Sequence, residues 1–435
     1  MYDHVKGVRD FYPGEMSARR AVIDTVEDVA GRYGFREIGT PAIESADLYI
    51  EKSGEEIVEE LYSFEDKSGR HVALTPELTP TVARMVVAKQ QELAKPIKWV
   101  STRPFWRYEQ VQQGRYREFY QLNADIFGSS EPDADAEVLA FAADALTELG
   151  LESTDFEFRV SHRDILGGML ESIDTDIDVQ AAIRAVDKSG KVEQGEYYDL
   201  LEDAGLDRES VGEFDRVLSS GDLDAVLDFA GTERVESAVS NLQAVLDATS
   251  RLGAGEYLTL SLETARGLDY YTGVVFECFD STGEVSRSVF GGGRYDDLIE
   301  SVGGQPTPAV GVAPGLAPLS LLLKGAGVWP EETTATDYYV LRVGESDRVA
   351  QVAARITREL RARGQVTETD VSGRSFGAQM SYANSIGAET VVIVGEQDLT
   401  EEQVTIKEME GGDQTTVPVD DFPGAYNRPT YDDFA

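Results

Sequence analysis

The chain has 435 residues, with 80 Asp and Glu against 39 Lys and Arg and a formal net charge of -41. That length exceeds one ordinary core, so two or three domains are expected. Strand and helix patterns run throughout, which excludes a disordered acidic protein. Self-repulsion at this charge would destabilise a compact chain in dilute buffer. In molar salt the Debye length falls to about 3 Å, so the composition reads as adaptation to a high-salt cytoplasm. The lone cysteine, Cys278, excludes a disulfide framework and a thiol-rich zinc site. His4, His71 and His162 are scattered without metal-ligand spacing, and no protein-held metal is expected. Met1 opens into MYDHVKGVRDFYPGE without a charged-then-apolar leader. The longest nearly apolar run, Ala309 to Leu323, falls short of the roughly 20 residues of a membrane helix. A soluble, cytoplasmic protein is expected.

In chain order, Val22, Val26, Val29 and Tyr33 recur at helical spacing. FREIGTPAIE follows as a strand interrupted by Pro41. VALTPELTPTVARMVVAK predicts a strand, a turn, and a helix started by Pro80 with Thr79 as its cap. KWVSTRPFWRYEQ and YREFYQLNADIFG are strand-like and joined by VQQGR, whose Gly114 suits a turn, so a long antiparallel hairpin is expected. ADAEVLAFAADALTELG reads as an amphipathic helix.

Between Gly168 and Gly255 there are 20 acidic and 7 basic residues, helical periodicity and almost no strand signal. This predicts a helical insertion into an α/β domain that resumes afterwards. LSLETA ends in a turn and VVFECF is a strand, so RGLDYYTG (266–273) sits where one strand hands over to the next. GAGVWPEETTAT reads as a linker, giving a first domain over 1–325, a linker over 326–336 and a second domain over 337–435. In the last, YYVLRV, a helix through Val349, Val352, Ala353, Ile356 and Leu360, VTETDV, a helix around Gln379 to Ile386, TVVIVG and VTIKEM alternate. That grammar predicts a small α/β domain with parallel strands.

Three segments could carry chemistry. In RGLDYYTG an arginine can hold an anion and two tyrosines can wall a flat polar ring; an ordinary hairpin with amphipathic residues is the alternative. Between Lys95 and Arg117 stand six bases (Lys95, Lys98, Arg103, Arg107, Arg115, Arg117) and one acid, Glu109, which reverses the balance of the chain. Interleaved aromatics suit a nucleotide or a nucleic-acid end, unless the bases pair with acids elsewhere. Glu77 and Thr79 lie at a strand-to-helix turn, where a carboxylate could receive an ammonium group or simply make a polar turn. VSRSVFGGGRYDDLI is strand-like, and FGGGRY (290–295) within it is glycine-rich between a strand and a helix. It is a weak phosphate-binding signal and equally a tight turn allowing close backbone approach.

Together these segments resemble the histidyl-tRNA synthetases, which are class II aminoacyl-tRNA synthetases. The likeness runs from GVRDFYPGE, through the helix and strand ending at Pro41 (motif 1) and FWRYEQVQQGRYREFYQLNADIFG (motif 2), to RGLDYYTG, FGGGRYDDL and the last α/β domain. The resemblance implies an α+β catalytic domain with an antiparallel sheet flanked by helices, the helical insertion, and an anticodon-binding-type domain. It implies ATP-dependent activation of L-histidine and transfer to tRNA(His), with Mg2+ accompanying ATP, in a homodimer joined through motif 1.

Position by position, the resemblance gives Arg107 the ATP α-phosphate and the histidine carboxylate, and Glu109 the adenine amino group. Phe119 would stack on the adenine ring and Arg115 would reach the outer phosphates. Glu77, Thr79 and Gln121 would hold the α-amino and carboxylate groups of the substrate. Asp125 and Tyr271 would bracket the imidazole, with Tyr270 and Tyr295 completing the pocket, and Arg266 would be the catalytic cation. In one respect the chain departs from the pattern. Motif 3 normally carries an arginine that clamps ATP, and here GVAPGLAPL places Pro318 at that position. Either another cation, Arg294 or Arg115, takes over, or ATP binding is weakened. Two other functions stay open: the histidine-binding regulatory subunit of ATP phosphoribosyltransferase, which lacks the anticodon domain, and an inactive tRNA-binding paralogue.

Overall fold

The computed structural model describes every residue except 1, 52–57, 174–175, 190–191, 265–269, 286, 333–335 and 425–435. It divides into two compact units, residues 1–11 with 19–330 and residues 12–18 with 331–435.

An eight-stranded sheet organises the first unit. Across it the strands run Arg36–Glu37, Ile97–Trp106, Glu118–Phe127, Ala309–Val312, Ser288–Arg294, Val274–Asp280, Phe156–His162 and Leu258–Leu260. The two outermost pairings are parallel and the inner ones antiparallel. The expected long hairpin forms, with Ile97 opposite Phe127 and Trp106 opposite Glu118. Successive strand residues point to opposite faces, so the hairpin serves two cores. Leu122, Ala124 and Ile126 join Val100, Val310 and Val312 in the larger core. Phe105 and Phe127 join Val275 and Ala309 in the smaller one, together with Val82 and Val86 of helix Thr79–Lys89 and Leu78 just before it. Phe119, Gln121 and Asp125 share the parity of Phe127, so the strand period alone places them on the smaller-core face.

Helix Pro132–Glu148 lies against the larger-core face, and helix Glu233–Arg251 packs on it in turn. The former is therefore buried on most sides rather than half-exposed as its amphipathic pattern predicts. The helical run begins at Arg163, before the composition shift at Gly168. Its apolar residues, including Leu242 and Val245, are continuous with the sheet core. Gly168 permits this contact, because a Cβ there would lie 2.5 Å from Val235 Cγ2.

Several sequence expectations are corrected. FREIGTPAIE is two short strands in different sheets: Arg36–Glu37 extends the large sheet, while Ile43–Ser45 pairs with His71–Leu74 in a separate three-stranded sheet. Thr79 is the first residue of its helix, not its cap; Leu78 holds the cap position without a side-chain hydrogen bond, and Pro80 fits the first turn. The strands flanking RGLDYYTG are not partners, because Phe156–His162 lies between them. FGGGRY is neither a turn nor a phosphate loop but belongs to a strand, as the strand-like run around it predicts. Phe290 to Arg294 lie within a central strand, where a Cβ at Gly292 would collide with the Gly311 carbonyl and the Phe276 ring.

The second unit holds a five-stranded sheet in the order Thr367–Thr369, Thr336–Val343, Ala388–Gly395, Gln403–Glu408, Gln414–Pro418. The first three are parallel, and the last two add antiparallel. Helix Asp347–Ala362 buries Val349, Ala353, Ile356 and Leu360 against one face, as their spacing predicts. Helix Phe376–Ser385 contributes Ala383 to a second cluster with Tyr339, Leu341 and Val391.

Candidate active site

The smaller-core face of the sheet carries a connected set of polar side chains. Asp125 is 4% exposed, and Tyr295 donates its hydroxyl to Asp125 Oδ1 at 2.5 Å. Asp125 faces Gly311 on the neighbouring strand, where any Cβ would collide with the carboxylate. Burial pushes the Asp125 carboxyl up to about 7, and the Tyr295 hydrogen bond only partly opposes this. Burial and the nearby carboxylate together push the Tyr295 phenol well above its ordinary value. The Tyr270 ring packs on both Tyr271 and Tyr295, at centroid separations of 4.9 Å and 5.8 Å. The Tyr270 hydroxyl in turn donates to Glu77 Oε2 at 3.4 Å.

The Glu77 turn also meets the hairpin. Arg107 Nε donates to the Pro76 carbonyl at 3.0 Å, and its guanidinium lies 5.6 Å from the centroid of the Phe119 ring. Gln121 Nε2 donates to the Ala313 carbonyl at 3.2 Å. Thr79 is buried at the start of its helix. At the hairpin turn, Gly114 adopts a φ of 72°, a conformation natural to glycine, and Gln112 pairs with Arg115. Arg115 Nη1 lies 3.3 Å from Glu109 Oε2. The amino-terminal GVRD segment braces this end: the Gly7 carbonyl accepts from Arg117 N, and the Arg9 guanidinium lies 3.4 Å from the Tyr116 ring centroid.

Glu77, Arg107, Phe119, Asp125, Tyr270, Tyr271 and Tyr295 are thus brought to one side of the sheet, with Thr79 and Gln121 beside them. Glu109 and Arg115 stand at the hairpin rim. Arg266 lies outside the described residues. Among the other hairpin bases, Lys98 pairs with Glu137, Lys95 donates to Thr307 Oγ1, Arg103 is buried, and Arg117 lies over Tyr108. Part of the basic reversal is therefore structural.

A model of the family described as histidyl-tRNA synthetase matches residues 7–319, and one described as an anticodon binding domain matches residues 337–427. The chain is 68% identical over 435 residues to a histidine–tRNA ligase of Natronomonas pharaonis, with all of both chains covered. It belongs to the histidyl-tRNA synthetase family. A second histidine–tRNA ligase, from Haloarcula marismortui, is 68% identical over 437 residues, again with both chains covered in full. The crystal structure of histidyl-tRNA synthetase from Nostoc sp. PCC 7120 aligns with a TM-score of 0.80 at 25% identity, covering 97% of each chain.

Because Pro318 stands where the resemblance expects an ATP-clamping arginine, the fate of Arg294 matters. Its Nε donates to Asp135 Oδ1 at 3.0 Å, its Nη2 pairs with Asp135 Oδ2, and its Nη1 donates to the Ser129 carbonyl at 2.9 Å and to Asp296 at 3.1 Å. Burial opposes its charge, but Asp135 and Asp296 outweigh that and hold the guanidinium above its ordinary value. Every arm of Arg294 is engaged inside the protein, so it is not a substitute ATP clamp. Sequence reasoning missed this buried pair, because 159 residues separate its members. It also missed Arg287, which the structure brings to the Gly114 turn. The available signal was a lone arginine just before the glycine-rich strand.

Proposed function

We propose that this chain activates L-histidine with ATP to histidyl-adenylate and transfers the histidyl group to tRNA(His). The observation that carries the reading is the buried Asp125–Tyr295 pair, set beside Tyr270, Tyr271 and Glu77. A carboxylate accepts an imidazole N–H, and a second carboxylate receives the α-ammonium group. A site built from such partners rejects amino acids that leave them unpaired, by a factor on the order of 10⁴. In this reading Asp125 and Tyr271 bracket the imidazole, with Tyr270 and Tyr295 closing the pocket. Glu77, Thr79 and Gln121 hold the α-amino and carboxylate groups.

Activation needs no side-chain base, because the attacking histidine carboxylate is already ionised. Its oxygen attacks the α-phosphorus as pyrophosphate leaves in line, and charge accumulates on the phosphoryl oxygens. Guanidinium groups fixed beforehand stabilise that charge without reorganising. Arg107, held on the Pro76 carbonyl, has that role at the α-phosphate, together with Arg266. Phe119 stacks on adenine, Glu109 accepts from its amino group, and Arg115 meets the outer phosphates. Mg2+ enters as part of the nucleotide substrate. A hydroxyl of the terminal tRNA ribose then attacks the acyl carbon of the adenylate, the acyl–phosphate bond breaks and AMP leaves carrying the phosphate charge, with the Gln110 to Gly114 turn beside the acceptor end.

We assign catalysis to residues 1–325 and anticodon binding to residues 337–435, with residues 326–336 as linker. The anticodon-domain match and the full-length relatives favour a ligase over a regulatory subunit without that domain. We further propose a homodimer formed through the motif 1 region, working in a high-salt cytoplasm. Among the described residues no helix is long and apolar enough to cross a membrane. The test is histidine-dependent ATP–pyrophosphate exchange in molar KCl. Exchange is expected with histidine and with no other amino acid; its absence from folded protein overturns the reading.

A further inference from the structure

Arg287 is a half-buried guanidinium at the hairpin turn with no assigned task. A Cβ placed on Gly114 would lie 3.3 Å from Arg287 Nη2 and 3.8 Å from Pro318 Cα. The guanidinium of Arg287, the hairpin turn and the backbone of position 318 therefore meet at one point. Arg287 comes from just before strand Ser288–Arg294, and Pro318 from the first turn of helix Leu316–Gly325. Pro318 itself offers neither a cation nor an N–H donor.

The charges at this point do not cancel. Among the described residues Arg287 has no carboxylate partner, and Glu277 on the neighbouring strand is engaged by Ser288 Oγ at 3.0 Å. Glu109 is 12% exposed and already paired with Arg115. Two guanidinium groups thus share one carboxylate, leaving a local positive excess in a chain of net charge -41. Burial, and secondarily the facing charge of Arg115, push the Arg287 guanidinium below its ordinary value, while Glu109 opposes the shift. Like charges held together are relieved by an anion that bridges them. Planar guanidinium groups match phosphate oxygens through paired N–H donors.

We infer that Arg287 and Arg115 together clamp the outer phosphates of ATP, and that Arg287 supplies from the adjacent strand the cation that Pro318 cannot. This rests on the proposed function, since it takes ATP as the ligand of the hairpin rim. The clamp acts on the β- and γ-phosphates only. Arg107 and Phe119, lower on the sheet, hold the α-phosphate and adenine without it.

The experiment compares ATP and AMP binding by calorimetry, and ATP–pyrophosphate exchange kinetics, in molar KCl. Arg287→Ala is expected to weaken ATP binding and raise the KM for ATP by about tenfold or more. AMP affinity and the KM for histidine should stay within about twofold. Arg287→Lys should recover part of the loss, since it keeps the charge without the fork. Pro318→Arg in the Arg287→Ala background should recover part of it from the opposite side. Unchanged ATP affinity in Arg287→Ala overturns the inference, and so does an equal loss for ATP and AMP, which would mark a structural role. If Arg287→Ala does not fold, Arg287→Gln keeps the stem and carries the same measurement; failure of both to fold also overturns it. A wild-type protein that binds ATP but shows no exchange removes the proposed function, while the ATP-to-AMP comparison still decides the role of Arg287.

Discussion

The two ends of the site are built differently. At the sheet, Asp125 and Tyr295 are buried, joined to each other, and seated on a glycine that leaves no room for movement. At the hairpin rim, Arg115 is about half exposed and stands on a turn, with Glu109 and Arg287 as its charged neighbours. A small flat ring is recognised by groups whose geometry is fixed and whose desolvation makes each hydrogen bond count. A flexible polyanion needs charge more than fixed geometry, and charge can be offered from loops. The contrast predicts that floor substitutions abolish discrimination, whereas rim substitutions retune affinity.

The largest effect is expected at the floor. Asp125→Ala should lower kcat/KM for histidine by about 10³ or more, because it leaves the imidazole N–H without an acceptor. The KM for ATP should hardly move. Exchange kinetics varied in each substrate would separate the two, and equal losses in both would erase the distinction between floor and rim. Tyr295→Phe removes a neutral donor and should cost much less.

A second large effect concerns the support beneath the floor. Asp135→Ala would leave buried Arg294 with only the more exposed Asp296 as a carboxylate partner, at a cost of about 3 kcal/mol in stability. Chemical denaturation in molar KCl measures this. Adding Arg294→Met to Asp135→Ala should restore much of the loss, because the buried charge that Asp296 alone must balance is then gone.

These expectations rest unequally on sequence and structure. The hairpin was legible because its period of two is local, and the same period puts Phe119, Gln121 and Asp125 on one face. Gly114 marked its turn for an equally local reason. The Asp135–Arg294 pair and the approach of Arg287 to Gly114 were not legible, since they join a helix, a turn and strand residues far apart in sequence that meet only after the sheet is assembled. The strand through FGGGRY was legible from its flanks, but its glycines were ambiguous because glycine signals both turns and close backbone packing. Only the neighbouring Gly311 and Phe276 show that packing is the reason here. Pro41 looks in sequence like an interruption of one strand, but the chain on either side of it belongs to different sheets.

The pH dependence of stability offers a smaller and more specific test of the floor. The folded-state value of Asp125, about 7, lies above the ordinary carboxyl value of 3.8. The native state therefore holds a proton that the unfolded chain releases between these values. The associated stability is fully present below 3.8 and is lost as pH rises through about 7. Asp125→Asn removes this contribution, so its melting curve relative to wild type should gain stability between about pH 4 and 7, on the order of a few kcal/mol. A bound imidazole that donates to Asp125 favours the ionised carboxylate, so histidine should shrink the difference. A constant offset across pH, with or without histidine, would mean that Asp125 stays ionised in the free protein.

The smallest stability effect is expected at the rim. The Arg115–Glu109 pair has its arginine 47% exposed, so screening by water and salt limits its contribution to less than about 1 kcal/mol. Arg115→Ala should therefore leave the melting midpoint nearly unchanged. Its effect belongs to binding: a KM for ATP raised by about tenfold, with the KM for histidine unaffected and Arg115→Lys intermediate. Removing Arg115 also leaves Glu109 balanced by Arg287 alone, so the loss combines a missing attraction with a weaker shielding of that carboxylate from the phosphates. Arg115→Ala combined with Glu109→Gln separates these terms. If the double variant binds ATP better than Arg115→Ala, the rim works by net charge, and its positions are interchangeable in a way that those of the floor are not. If it binds worse, the contact of Glu109 with the adenine amino group outweighs its charge, and that part of the rim depends on geometry as the floor does.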